Sequence, residues 1–301
     1  MTKKITRRNL KNGLFAFIDL LGFSNRVEAI TTEEQLRVLD DDVVYVQNEF
    51  EHKSSDKFIQ EEHKIVGKSV LAFSDCLVIS VPLRSQMADF QGTFDLLMSE
   101  LNSYAWALGT CVLRGIFLRG GVDLGFWYRR KDTLISPAMV RAYRLEHTAC
   151  VPMIAIAPAL QKYLSDHPHR EYYSDDLDPI PTMLTQHNNL PNGTTQWFIN
   201  YLRICLHSVE PLIAGDDRKR YQAEDEDGRD RMRSEAWQNA CRDWARHHGQ
   251  AVLNAHASAG DDHVREKYAW LADYHNDEIK RFFGGEAESL MIRIGHQSAA
   301  K

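Results

Sequence analysis

The chain has 301 residues, with 36 basic and 42 acidic side chains and a formal charge of −6. Hydrophobic residues make up 44% and charged residues 26%, which excludes a disordered chain, a collagen-like repeat and a coiled-coil rod. The acidic balance argues against bulk, sequence-independent nucleic-acid binding, and no apolar run approaches the ~18 residues of a membrane span.

Near the N-terminus Lys3, Lys4, Arg7, Arg8 and Lys11 precede an apolar stretch, Leu14 to Phe23. This superficially suggests a signal peptide, but Asp19 interrupts the stretch and no small-residue cleavage site follows. A cytoplasmic protein without membrane insertion is expected. Cys76, Cys111, Cys150, Cys205 and Cys241 are widely spaced and form no CxxC pair. They read as small buried hydrophobes and not as a zinc site or a disulfide framework.

Leu14 to Leu21 reads as a short buried strand ended by Gly22. Thr31 followed by Glu34 is a capping signature. Leu36, Leu39, Val43, Val46 and Phe50 then predict an amphipathic helix. A polar segment, His52 to His63, follows. Residues 69–73 and 76–81 are apolar runs separated only by Ser74 and Asp75, which predicts a hairpin closed by Pro82. A long helix is expected over 88–108 and a strand over 112–118. That strand leads into Arg119-Gly-Gly-Val-Asp-Leu-Gly, where glycines allow a bend or close backbone approach. Pro137 opens a helix to about Thr148, and 153–157 is a further strand. The order is strand, helix, strand, strand, helix, strand, with a helix and strand added.

Residues 166–194 read as an irregular connection. Helices are expected over 196–209, 234–254 and 267–283, with a mixed-charge stretch over 216–233 and a last strand over 289–294. The predicted class is α/β (α+β), with residues 1–165 as the core. Residues 166–301 form a helical C-terminal elaboration packed on the same domain.

Two residues stand out for chemistry. Asp19 interrupts an apolar strand, and a carboxylate there is costly unless paired or metal-bound. Asp75 sits at the predicted hairpin tip. A βαββαβ sheet can bring a first-strand residue beside that turn, where two carboxylates can hold two divalent cations for phosphoryl transfer. The plainer alternative is that Asp19 caps a turn and Asp75 is an ordinary hairpin residue. No Walker A loop, dinucleotide fingerprint or Gly-x-Ser-x-Gly elbow is present.

Phe17-Ile-Asp-Leu-Leu-Gly-Phe, Phe73-Ser-Asp-Cys, Arg119-Gly-Gly-Val-Asp-Leu-Gly and Ala142-Tyr-Arg-Leu-Glu occur in the order and approximate spacing found in class III nucleotide cyclases. Over about residues 14–158 the chain resembles that superfamily. Ser136-Pro-Ala-Met-Val-Arg-Ala-Tyr-Arg-Leu-Glu and Lys267-Tyr-Ala-Trp-Leu-Ala-Asp-Tyr-His-Asn look most like the bacterial Pycsar pyrimidine cyclases, anti-phage enzymes that make cyclic UMP or cyclic CMP. The resemblance implies a ferredoxin-like βαββαβ core. It implies Asp19 and Asp75 as ligands of two divalent cations (Mn²⁺ or Mg²⁺), and backbone near Leu20 on the phosphates. It places Arg144 where these cyclases carry the arginine that steadies the pentavalent phosphate, although a helix bearing Arg141, Arg144 and Glu146 also fits a solvated face.

Two departures bear on the base. Leu71 stands where purine-specific cyclases often carry a base-reading Lys or Glu, and Val140 where they usually have Asn. Both weaken an adenylate or guanylate cyclase assignment. Tyr45 and Arg119 are candidate substrate-pocket residues, against core packing and strand-end solvation as plainer roles. The expected activity is conversion of UTP, favoured over CTP, to its 3′,5′-cyclic monophosphate and pyrophosphate. By resemblance the enzyme is a head-to-tail homodimer whose product acts on a separate cyclic-nucleotide-responsive effector. The competing readings are a catalytically silent cyclase-like fold that binds a nucleotide or partner, and a polymerase-like palm.

Overall fold

The computed structural model describes residues 10–51, 64–130, 133–187, 190–213 and 215–294. The polar segment His52 to His63 and the basic residues before Leu10 lie outside the described residues.

Strand β1 (Leu10–Leu20) lies inside an eight-stranded sheet of order β2-β3-β1-β4-β6-β8-β7, with β5 paired to β4. Its neighbours are β3 (Cys76–Pro82), hairpin partner of β2 (Ser69–Phe73), and β4 (Leu118–Arg130), which also pairs with β5 (Thr133–Ile135). These pairings are antiparallel; β6 (Ile154–Ile156) runs parallel to β4. The sheet continues through β8 (Gln196–Ile199) to β7 (Leu184–His187) at the far edge.

Side chains alternate between the sheet faces. Leu14, Ala16, Ile18 and Leu20 enter the main core, shared with α2 (Glu33–Glu51) and with helix Thr93–Leu113. Between β1 and α2 lies the short α1 (Phe23–Glu28). The odd-numbered β1 residues face the other side, where Phe15 packs with Trp127 and Ala138 of helix Pro137–Ala149. That helix lies against β4 at Gly121, where a Cβ would run into the Ala142 carbonyl oxygen.

Several sequence expectations change. The α2 capping box is Thr32 with Gln35: the Thr32 hydroxyl accepts from the Gln35 amide (3.3 Å) and the Gln35 side chain accepts from the Thr32 amide (3.2 Å). The helix expected over 88–108 is two, α3 (Gln86–Gln91) and α4 (Thr93–Leu113), broken at Gly92, whose φ of +89° no helix accommodates. Val112 and Leu113 end α4 instead of opening a strand. The chain turns at Gly115 (φ +74°) and β4 starts at Leu118, so Arg119-Gly-Gly lies inside the strand. The helix Pro137–Ala149, opened by the Ser136 cap, is α5, and α6 spans Pro158–Ser165.

Beyond residue 166 the short α7 (Ile180–Met183) precedes β7. Residues 196–199 form strand β8 and not a helix, because Gln196 and Trp197 pair with β7 and β6; α8 (Tyr201–Ser208) begins only after Asn200. The mixed-charge stretch supplies α9 (Gly215–Ala223) and the start of α10 (Glu226–Ser258). Helix α11 (Asp262–Phe283) packs on α10. The strand expected over 289–294 is absent; a 3₁₀ turn, Gly284–Ser289, leads into irregular chain. Among the described residues no helix is long and apolar enough to cross a membrane.

Candidate active site

Register assembles the site. Asp19 lies opposite Cys76 on β3 and opposite Arg119 on β4. Cross-strand partners share a face, so Cys76, Asp19 and Arg119 form a row across three strands, on the face that α5 covers. Asp75 joins the row because the β2–β3 turn is only Ser74 and Asp75, with Ser74 at φ +56°. A positive φ at the first turn position is what a tight hairpin of the primed kind requires.

Donor atoms of Asp19, Asp75 and Cys76 all lie within 4.8 Å of one another. The Cys76 thiol donates to Asp19 Oδ1 (3.4 Å) and lies 3.8 Å from Asp75 Oδ1. Arg119 donates through Nη2 to Asp19 Oδ2 (3.1 Å), and its Nε is paired with Glu146 of α5. Glu146 is 2% exposed, so Arg119 joins a metal-ligand candidate to a buried carboxylate.

The electrostatics follow from this crowding. Burial, then the neighbouring Asp75 carboxyl, pushes the Asp19 pKa above its ordinary value, while the Cys76 thiol and Arg119 pull it back. Burial also raises Glu146, with Arg119 opposing and Asp19 reinforcing. The Cys76 thiol is pushed far up by burial and then by both aspartates, so it is a protonated donor here. Lys267, near the start of α11, is lowered by burial and by the Arg119 charge, and the next residue, Tyr268, packs edge-on against Phe117 at 4.9 Å, two residues before Arg119.

The two close carboxylates form a donor pair that fits a divalent cation, while the protonated Cys76 thiol beside them donates to both and is not a ligand. The carboxylates of Asp19 and Asp75 offer hard oxygen donors, the kind that suits Mg²⁺ or Mn²⁺.

Of the residues singled out by sequence, the structure brings Asp19, Asp75 and Arg119 together. Leu20 follows Asp19 directly, its side chain buried in the core on the opposite face. Gly22 (φ +80°) then turns the chain into α1. Tyr45 is in the α2 layer across the sheet from Asp19, with the Arg114 guanidinium 4.0 Å above its ring. Arg144 lies exposed on α5 with no ion pair among the described residues, near Val140 (43% exposed) and Tyr143 (50%). Leu71, opposite Val78, is 36% exposed. Sequence reasoning missed the roles of Glu146, Cys76 and Lys267. Glu146 and Lys267 lay within the motifs that carried the resemblance, and Cys76 directly follows Asp75.

No family model and no curated protein matches the chain. Among solved structures it is similar to a bacterial light-regulated adenylyl cyclase, at 16% identity and TM-score 0.35 over 64% of this chain and 91% of that one. It is also similar to the guanylate cyclase domain of RhGC from Catenaria anguillulae in complex with GTP, at 11% identity and TM-score 0.38 over 63% and 96%. A third likeness is to a class III adenylyl cyclase-like ATP-binding protein from Pseudomonas aeruginosa, at 12% identity and TM-score 0.35 over 56% and 37%. These neighbours are nucleotide cyclases or cyclase-like proteins. At such identities and scores the likeness adds nothing about residues or substrates.

Proposed function

We propose that this chain is a metal-dependent nucleotide cyclase that closes a pyrimidine nucleoside triphosphate, UTP before CTP, into its 3′,5′-cyclic monophosphate. The observation that carries the reading is the convergence of Asp19, Asp75 and Cys76 donor atoms within 4.8 Å at one end of the sheet. The ordered cyclase-like motifs around these residues support it, with residues 1–165 as the catalytic core and 166–301 as its elaboration.

In the reaction the substrate's 3′-oxygen forms a bond to its own α-phosphorus, the bond to the β-phosphate oxygen breaks, and the hydroxyl proton is lost as pyrophosphate leaves. Both reacting groups belong to one molecule, so catalysis is mainly positioning and charge neutralisation. Asp19 and Asp75 would hold two divalent cations, which would supply that neutralisation and make the attacking hydroxyl more acidic. Arg119 and Glu146 orient Asp19. Backbone near Leu20 holds the phosphates, and Arg144 of a second protomer stabilises the charge developing at the α-phosphate. Leu71, apolar at the position of a purine reader, supports a pyrimidine pocket, with Arg119 its remaining candidate residue; Tyr45, on the other side of the sheet, does not reach it. The homodimer reading is supported by apolar side chains on the Asp19 face, Phe73 (78% exposed), Leu71 and Tyr143, which a second copy would cover. The biological reading, by resemblance to Pycsar cyclases, is a cytoplasmic messenger synthase in anti-phage defence whose product acts on a separate effector.

A second reading, a silent cyclase-like fold that binds a nucleotide or a partner, is favoured by Val140 in place of the usual Asn. Incubation with each of the four NTPs and Mn²⁺ or Mg²⁺, with products resolved chromatographically, decides between them. Cyclic UMP as main product is expected. Cyclic CMP overturns the uracil preference alone, cyclic AMP or cyclic GMP overturns the pyrimidine reading, and no pyrophosphate from any NTP establishes the silent fold.

A further inference from the structure

We propose that the C-terminal half carries a second ligand site, separate from the carboxylate cluster, for an aromatic phosphate ester of the nucleoside monophosphate class. The site is a pocket of about 690 Å³ between α8, α10 and α11, within the ~300–1,000 Å³ typical of small-molecule sites. Arg203 and His207 of α8, Trp237 and Arg242 of α10, and Arg281 and Phe282 of α11 reach its wall.

Charge argues for an anion. Buried Glu278 takes Arg203 (2.8 Å) and Arg281 (2.5 Å), and Glu286 takes Arg242 (2.6 Å). Three guanidiniums therefore face two carboxylates, leaving one positive charge without its own partner. The Arg281 side chain is 56% exposed and that of Glu286 67%. Arg281 and Arg242 can thus turn to an incoming anion while Arg203 keeps Glu278 compensated. Guanidinium groups match phosphate oxygens in a planar, two-point geometry that a single ammonium does not offer.

Ring geometry argues for an aromatic moiety beside that anion. Trp237 lies 5.8 Å from Phe282, and His207 packs edge-on against Phe282 at 5.1 Å. Trp237 and Phe282 are only half-buried, so they retain surface on which a base can stack, and stacking tolerates any base. Burial and the Arg203 charge lower the His207 pKa, so its imidazole is neutral at pH 7 and becomes more basic when an anion arrives.

The site lies well away from the carboxylates. Tyr268 of α11 packs on Phe117 close to Arg119, and Arg281 is about 20 Å further along α11 at ~1.5 Å per residue. Neither Asp19 nor Asp75 takes part, so the site stands or falls independently of the cyclase reading.

The test uses the full chain carrying Asp19→Ala and Asp75→Ala, in EDTA, titrated calorimetrically with UMP, AMP, inorganic phosphate and uridine. Both nucleotides should bind, and phosphate and uridine should each bind roughly tenfold more weakly or worse, since each offers one half of the recognition. Adding Arg242→Ala and Arg281→Ala should weaken nucleotide binding by about tenfold or more with an unchanged thermal melt. No nucleotide binding, uridine binding as tightly as UMP, or insensitivity to the two arginine changes overturns the site. A second measurement needs no arginine variant: nucleotide should raise the His207 pKa in the unsubstituted chain, followed by NMR. An unchanged His207 titration at saturating nucleotide likewise overturns it.

Discussion

A carboxylate withdrawn from water needs compensation, and Asp19 receives it from both neighbouring strands, from the Cys76 thiol and from Arg119. Asp75 acts in the opposite sense, so a cation between the two carboxylates relieves the cluster most. Asp19→Ala and Asp75→Ala should each abolish cyclic nucleotide formation and calorimetric Mn²⁺ binding while the melting curve keeps its shape. Near-normal turnover in either, at saturating NTP and Mn²⁺, removes the two-metal assignment. Glu146 acts one step further out. It shares the Arg119 charge, so Glu146→Gln leaves that charge fully opposed to a cation beside Asp19. Mn²⁺ affinity should fall by roughly 10–100-fold, as for other groups that orient a ligand. A smaller change in kcat at saturating metal should accompany it; an unchanged Mn²⁺ affinity shows Glu146 to be structural only. Asp19 was legible in the sequence as a polar residue in an apolar strand; Asp75 is by local pattern an ordinary turn residue and stood out only through its joint position with Asp19 and the ordered motifs. Glu146 was not legible. Beside Arg141 and Arg144 it resembles a solvated helix face, and only the close approach of α5 to Gly121 buries it.

Elements bounded by local chemistry were legible: the hairpin, the helix start at Pro137 and the continuous apolar run of β1. Those decided by partners distant in sequence were not. Residues 196–199 become β8 because β6 and β7 flank them, and Gly92 divides what periodicity reads as one helix. The C-terminal helices conceal a further pattern, a buried chain of hydrogen bonds linking α8, α10 and α11. His275 Nε2 lies 3.1 Å from the Leu290 carbonyl, and His248 Nδ1 lies 2.9 Å from His275 Nδ1. The carbonyl only accepts, so His275 Nε2 donates, its Nδ1 accepts from His248, and His248 Nε2 accepts from the Tyr201 hydroxyl (2.8 Å). This arrangement pairs all four ring nitrogens with both imidazoles neutral. Burial, reinforced for His248 by the facing His275, holds both pKa values below the ordinary 6.5. The unfolded chain thus binds more protons than the folded one once the pH falls below about 6.5. Stability is complete above that value and is lost as the pH drops toward the depressed folded pKa values. Two such groups give a slope of up to ~2.7 kcal/mol per pH unit. Urea midpoints should fall between pH 7.5 and 5.5, and fall less in His248→Gln, which cannot titrate. Equal losses in both proteins would show that the pair does not govern acid stability.

At the scale of the molecule, the βαββαβ order was legible because each element carries its own local pattern, an apolar run for a strand or three- and four-residue spacing for a helix. The strand 153–157 was legible and is β6; the continuation of the sheet through β8 and β7 was not, since irregular chain separates those two strands from the core. The sheet carries its catalytic candidates on a face only partly covered: α5 shields Phe15 and Trp127, while Phe73, Leu71 and Tyr143 remain exposed. Arg144 points outward on that same helix without an ion pair among the described residues, although the proposed chemistry needs a cation at the α-phosphate. A head-to-tail pair resolves both features, each site taking its carboxylates from one protomer and Arg144 from the other. Asp19→Ala and Arg144→Ala chains should then be nearly inactive alone and active when co-expressed. A mixed dimer has one site with both lesions and one intact site. Random pairing at equal levels makes half the dimers mixed, so about a quarter of the unsubstituted activity should return for a twofold assembly. Activity no higher than the average of the two separate variants would place Arg144 and Asp19 in the same protomer's site or remove Arg144 from the reaction. Sedimentation of the mixture distinguishes these outcomes from a failure to pair.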